Sequence, residues 1–262
     1  MDQAPSPSER LSPSCVLCPR RCKADRIAGR PRPACGVGRH ARVHAWGGRG
    51  DEGWIHFAGC ALRCLHCPTP AAAWEAEGEE MPVDRLAALM LDVQAAGRAG
   101  LTLVNPGHVA VQVLEALDAA AARGFALPVT WRGPGYDLPA TLALLAGRIH
   151  AYVAEVKLAD AAKGRVCLGV ADYPAANRAT VLEMARQVGD RLLVRHMVLA
   201  GGLAGTREAL AFLPAGTRVR LVTGYRPAHR ADRHPLLRRP PTPGEIAEAR
   251  AAVLDLGLAL DV

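Results

Sequence analysis

From Gly53 onward the chain alternates short apolar runs with alanine- and leucine-rich stretches of helical period, and this alternation limits the folds open to it. Runs near residues 53–59, 100–104, 127–131, 150–157, 191–199 and 218–222 read as strands. Stretches near 82–97, 109–123, 138–146, 174–188 and 205–213 repeat apolar residues at helical spacing, and another follows near 244–257. Six strands separated by helices need crossover connections, so the expected fold is a parallel α/β sheet, doubly wound or curled into a partial barrel. A cysteine-bearing loop after the first strand suits the barrel. Its chemistry then collects at the carboxyl ends of the strands.

That loop is Cys60-Ala-Leu-Arg-Cys64-Leu-His-Cys67, directly after the apolar run Gly53 to Gly59. Three thiolates spaced C-x3-C-x2-C can hold a 4Fe-4S cluster and leave one iron without a protein ligand. Zinc competes for the same donors, but structural zinc wants four, and His66 is wedged between two of the cysteines. A second group, Cys15, Cys18 and Cys22 with Cys35 beyond, lies in a loop-rich stretch with little periodicity. Four thiolates there close a coordination sphere around zinc or a second 4Fe-4S cluster, a structural or electron-relaying site. Cys167 reads as a small buried hydrophobe.

Eight cysteines and no export-type leader or apolar run of membrane-spanning length predict a cytoplasmic protein whose thiols bind metal. The net charge of +7 sits in residues 1–50, where ten Lys or Arg face Asp2, Glu9 and Asp25. A solvated arginine-rich face explains it. Without interleaved aromatics, nucleic acid and membrane are not expected partners. The organisation expected is a disordered tail over 1–13, a cysteine-rich metal-binding extension over 14–50, and one α/β domain over 51–262.

The strand ends carry the remaining candidates. Asn105-Pro-Gly-His108 follows the second strand, and Trp131 to Tyr136 follows the third. In the fourth strand, period-two alternation puts Glu155 and Lys157 on one face, where they can pair. Lys157 is one of three lysines against 29 arginines, which hints that an ammonium is wanted there, although a strand-end salt bridge is the plainer reading. Arg195 and His196 are neighbours on the fifth strand, so one of the two faces inward. The default for His196 is a satisfied core histidine.

Taken together, several stretches resemble the radical S-adenosylmethionine (radical SAM) proteins of the pyruvate formate-lyase activating enzyme type. They are Cys18-Pro-Arg-Arg-Cys22, Cys35-Gly-Val-Gly38, the motif of residues 60–67, Asn105-Pro-Gly-His108, Leu117-Asp-Ala-Ala120, Ala171-Asp-Tyr-Pro174, Gln187-Val-Gly-Asp190, Leu193-Val-Arg-His-Met197, Leu203-Ala-Gly-Thr206 and Tyr225-Arg-Pro227. The resemblance implies a partial (β/α)6 barrel. It implies a 4Fe-4S cluster on Cys60, Cys64 and Cys67 that binds SAM and cleaves it reductively to a 5′-deoxyadenosyl radical. Glu155 and Lys157 would stand where these enzymes carry an Asp-x-Lys pair near SAM, with Asn105, His108 and Arg195 lining the same cavity. An electron donor such as flavodoxin or ferredoxin is the implied partner. The implied activity is an oxidoreductase that abstracts hydrogen from a protein or small-molecule substrate, a glycyl radical enzyme being one version.

The sequence also departs from the pattern. Ala61 replaces the usual asparagine, His66 the aromatic before the last cysteine, and Pro68-Thr69 the following Gln-Asn. Arg132-Gly-Pro-Gly135 replaces an Asn-Thr-Ser-Gly turn, and Glu155 an aspartate. Two further readings therefore stand beside the enzyme: a zinc module for nucleic acid or structure, and a silent relative that holds the cluster without turnover. No residue stands out as a catalytic acid, base or nucleophile.

Overall fold

The computed structural model describes residues 14–30 and 32–261, so the tail expected over 1–13 lies outside the described residues. The chain divides into two compact units. The first holds the described residues up to Ala61 together with Ala71–Gly133 and Asp137–Ala151; the second holds Leu62–Pro70, Pro134–Tyr136 and the chain from Tyr152 onward.

In the first unit the elements run β1 (Ala41–Arg49), β2 (Glu52–Phe57), a single turn α1 (Pro70–Ala73), β3 (Glu79–Met81), α2 (Val83–Ala95), β4 (Gly100–Val104), α3 (Ala110–Ala121), β5 (Val129–Gly133) and α4 (Pro139–Ala143). The strands lie in the order β3-β1-β2-β4-β5. β2, β4 and β5 are parallel, while β1 runs antiparallel to both β2 and β3. Alternation along β2 buries Gly53, Ile55 and Phe57, and the five buried residues of α2, including Leu86, Met90 and Val93, repeat at helical spacing. Each fully buried side chain of this size stabilises the unit by about 2 kcal/mol. Gly53 is required by that packing, because a Cβ there would lie 2.2 Å from Val93 Cγ1.

The second unit runs β6 (Ala151–Val156), α5 (Ala161–Leu168), α6 (Tyr173–Val188), β7 (Leu192–Met197), α7 (Thr206–Leu210), β8 (Arg218–Val222), α8 (Pro243–Asp255) and β9 (Ala259–Leu260). Its strands are parallel in the order β6-β7-β8-β9. Local chemistry sets the helix ends. The Asp160 side chain accepts from the Lys163 amide at 2.7 Å to start α5, and Gly169 ends it in the left-handed region at φ +76°. Thr242 and Glu245 form a reciprocal capping box at the start of α8, with Pro243 in its first turn.

The six expected strands are all present, each end within two residues of the expected one. The helices expected over 138–146 and 205–213 are shorter, at Pro139–Ala143 and Thr206–Leu210. Gly147 at φ +78° follows the first, and Pro214 follows the second. β1, β3, β9 and α5 were not expected. β1 is instructive, because its Gly47-Gly48 pair and three arginine or histidine side chains hide a strand that buries only Ala41 and Val43.

Beside Gly107, Asp137 is 2 % exposed and burial pushes its carboxyl up to about 7, the Trp131 indole working in the opposite direction. The folded chain therefore keeps a proton that the unfolded chain releases above its ordinary value of 3.8, so stability falls as pH rises from that value to about 7. Asp137→Asn removes this dependence. Urea denaturation at pH 4 and pH 7 should show the wild type losing on the order of 3 kcal/mol against the variant across that window; parallel pH profiles would refute it.

Candidate functional site

β2 ends at Phe57 and delivers the chain to Ala58-Gly59-Cys60. Two side chains from the β4 exit hold this turn in the first unit. Asn105 Nδ2 donates to the Gly59 carbonyl at 2.6 Å, and His108 Nε2 donates to the Ala58 carbonyl at 2.7 Å. A carbonyl only accepts, so the His108 proton is on Nε2. Gly59 adopts φ +84°, and a Cβ there would meet Val37 Cγ2 at 2.5 Å, the Cys35 carbonyl at 2.7 Å and His108 Nε2 at 2.9 Å. Asn105 itself sits at φ +58°, a region asparagine tolerates better than most residues.

From Leu62 the loop belongs to the second unit, where backbone bonds pin it. The Arg63 amide donates to the Leu168 carbonyl at 2.8 Å and the Leu65 amide to the Cys167 carbonyl at 2.9 Å, both at the end of α5. The Arg230 amide donates to the Leu65 carbonyl at 2.8 Å, and the Cys67 amide turns back on the Cys64 carbonyl at 3.2 Å. His66 is buried with its ring edge-on to Tyr225, centroids 6.0 Å apart, and Tyr225 donates to the Leu237 carbonyl at 2.8 Å. Burial and then the Lys157 ammonium draw the His66 pKa down to about 4, with Glu155 opposing, so the imidazole is neutral. None of the eight cysteines is in a disulfide, and Cys60 and Cys67 are buried and Cys64 half-buried.

The parallel register sets Glu155 of β6 directly opposite Arg195 of β7. Arg195 Nη1 donates to Glu155 Oε1 at 2.6 Å, and Lys157 Nζ stands 3.6 Å from Glu155 Oε2. Glu155 and Lys157 thus pair as the alternation implies. One carboxylate faces two cations, leaving a net positive charge in side chains only 14 to 19 % exposed. Asn177 Nδ2 reaches both the Gly135 and Glu155 carbonyls at 2.9 Å, and the Tyr173 hydroxyl lies 2.9 Å from the Pro134 carbonyl and 3.1 Å from that of Glu155. His196 is the core histidine expected. Its Nδ1 donates to the Val156 carbonyl at 2.7 Å, its Nε2 accepts from the Thr206 hydroxyl at 3.1 Å, and burial draws its pKa down to about 4.

The expected site residues therefore fall into two groups. In the first unit Asn105 and His108 bond to the backbone before Cys60, and in the second unit Glu155, Lys157 and Arg195 form a charged group. Tyr173, Asn177, His66 and the carbonyl of Cys167 were not singled out as site residues. Tyr173 and His66 carried a signal, in Ala171-Asp-Tyr-Pro174 and in the departure before Cys67. Among the described residues, no group of three His, Cys, Asp or Glu is already drawn close enough to hold a metal ion. The four cysteines of the extension nevertheless influence one another. Burial pushes the Cys18 thiol up to about 12, and Cys35, Cys15 and Cys22 add to the rise.

No family model matches the sequence, and no curated protein matches it. Among solved structures, the chain is similar to a radical SAM methyltransferase from Sphaerobacter thermophilus, with a TM-score of 0.58 at 14% identity over 83% of this chain and 67% of that one. At that identity the likeness establishes a shared α/β fold. No helix among the described residues is long and apolar enough to cross a membrane.

Two variants test the exit of β2. Gly59→Ala combines a disfavoured φ with three overlaps and should cost about 2–4 kcal/mol in denaturant unfolding. Asn105→Ala, which loses one bond and leaves alanine in the left-handed region, should cost about 1–2 kcal/mol. Wild-type stability in Gly59→Ala would refute the path described.

Proposed function

We propose that this chain is a radical SAM enzyme in which Cys60, Cys64 and Cys67 hold a 4Fe-4S cluster and the Glu155–Lys157–Arg195 group receives SAM. The observation that carries the reading is three cysteines outside any disulfide on one short loop after a β-strand, in a chain whose fold is similar to that of a radical SAM methyltransferase. The donor set fits the group, being three soft thiolates spaced to leave one iron open. When bound, such a cluster supplies one electron and an open iron for the amino and carboxylate groups of SAM.

The chain's own residues have defined work in this reading. Asn105 and His108 act through the backbone, fixing the carbonyls that precede Cys60. The ends of α5 and the Arg230 turn fix Leu65, so Cys64 and Cys67 start from an ordered loop. His66 remains neutral, adding bulk beside the thiols without a competing charge. Arg195 holds Glu155, and two cations on one carboxylate leave positive charge for the carboxylate of SAM. The electron comes from a donor of the flavodoxin or ferredoxin kind. Hydrogen is then taken from a protein or small-molecule substrate, with a glycyl radical enzyme as one version.

Anaerobically reconstituted protein, reduced and mixed with SAM, should release 5′-deoxyadenosine, and Cys64→Ala should abolish it. Iron-loaded, reduced protein that releases none would sink the enzyme and leave a silent cluster binder. Lys157→Ala should retain its iron and weaken SAM binding about tenfold by calorimetry. An unchanged SAM affinity would remove Lys157 from the site.

A further inference from the structure

The extension contains a buried cation with no carboxylate partner among the described residues. Arg26 is 1 % exposed; its Nε donates to the Val37 and Gly38 carbonyls at 3.0 Å and its Nη1 to the His108 carbonyl at 2.7 Å. Its Nη2 is buried without a hydrogen-bond partner, and no carboxylate stands within ion-pair distance of the guanidinium among the described residues. Arginine cannot shed its proton, and an uncompensated buried charge costs several kcal/mol. Backbone dipoles alone do not neutralise it.

In the same stretch the chain brings four thiols near one another, Cys15 and Cys35 buried and Cys18 and Cys22 half-buried. The Cys15 amide donates to the Ala24 carbonyl at 2.9 Å and the Lys23 amide to the Cys15 carbonyl at 3.1 Å, closing the loop that carries Cys18 and Cys22. The Arg21 amide turns back on the Cys18 carbonyl at 2.9 Å. Cys22 is flanked by Arg21 at φ +40° and Lys23 at φ +53°, two non-glycine residues in the left-handed region that need an external restraint. Arg26 ties the far side to Val37 and Gly38, so it holds the turn that carries Cys35. Cys15 and Cys35 are buried, at 6 and 7 % exposure.

We propose that Cys15, Cys18, Cys22 and Cys35 hold a 4Fe-4S cluster of their own, with Arg26 as its buried counter-cation. Four thiolates on a 4Fe-4S core of charge 2+ carry a net charge of about −2, which supplies what the guanidinium lacks. Iron–sulfur is favoured over zinc by the ligand pattern. Structural zinc is commonly held by two separated C-x2–4-C pairs, whereas here three cysteines share one short loop and the fourth is distant. Four protein ligands leave no iron open, so this centre does not bind SAM. The site is independent of the Cys60–Cys67 reading.

The test uses the full chain with Cys60, Cys64 and Cys67 all changed to Ala, reconstituted anaerobically with iron and sulfide. About four iron and four sulfide per chain, with an S = 1/2 signal on reduction, is the expected result. No metal, or zinc alone, would overturn the proposal. The wild type provides the second count. About eight iron supports both centres, whereas about four in both the wild type and the triple variant would keep this centre and remove the one on Cys60, Cys64 and Cys67. The complementary variant Cys18→Ala/Cys22→Ala guards against misfolding of the triple variant and should drop the wild-type count from about eight to about four; an undiminished count would overturn the proposal. Arg26→Met should shift the midpoint potential of the triple variant's cluster to a more negative value and Arg26→Lys should restore it. An unmoved potential in Arg26→Met would overturn the counter-cation role.

Discussion

The path of the backbone through Gly59 is the constraint on which much of the first unit depends. At φ +84° the chain leaves β2 with the Cys35 carbonyl, Val37 and His108 packed so close that no side chain fits. Each neighbour has a further attachment. His108 gives its ring to Ala58 and its carbonyl to Arg26, and Arg26 gives its Nε to Val37 and Gly38. Strand exit, buried cation and extension thus form one hydrogen-bonded circuit. Loosening any member exposes carbonyls whose partners lie in the other two, so the extension is a working part of the fold.

In the second unit, charge is placed by register. Parallel pairing of β6 with β7 sets Glu155 against Arg195, and the two-residue period adds Lys157. Two histidines nearby, His66 and His196, are kept neutral by burial, so neither adds to the positive charge at neutral pH. Their roles differ. His196 has both ring nitrogens satisfied and serves the core, whereas the Nδ1 of His66 is buried without a partner.

Legibility in the sequence followed the strength of the period. The six parallel strands were readable because apolar runs bounded by turn residues and separated by helical stretches admit few alternatives. β1 was not, because its glycines and basic side chains dilute the alternation and its burial is confined to one end. The pairing of Glu155 with Lys157 followed from their spacing alone, but the partnership with Arg195 required knowing which strands are neighbours. Asn105 and His108 were found as residues, but their bonds to the Gly59 and Ala58 carbonyls were not foreseen. A motif at a strand end shows that a polar side chain is needed there, not whether it serves a ligand or a carbonyl. Arg26 gave no signal at all, since one arginine among 29 is conspicuous only once its burial is known.

The departures from the family pattern can be judged in the same terms. In Arg132-Gly-Pro-Gly135 the last two carbonyls are engaged by side chains of α6. Asn177 and Tyr173 bind the carbonyls of Gly135 and Pro134, and the same two side chains reach the carbonyl of Glu155. Tyr136 stacks on Tyr173 with ring centroids 6.0 Å apart and donates to Asp172 at 2.7 Å. Gly135, at φ +64°, has the Asn177 amide and the Glu155 carbonyl within 2.4 Å of where a Cβ would sit. The Pro134-Gly135 backbone and the strand that carries Glu155 are thus held by the same two side chains of α6. Two side chains of α6 therefore fix the backbone of Glu155, and with it the root of the charged group.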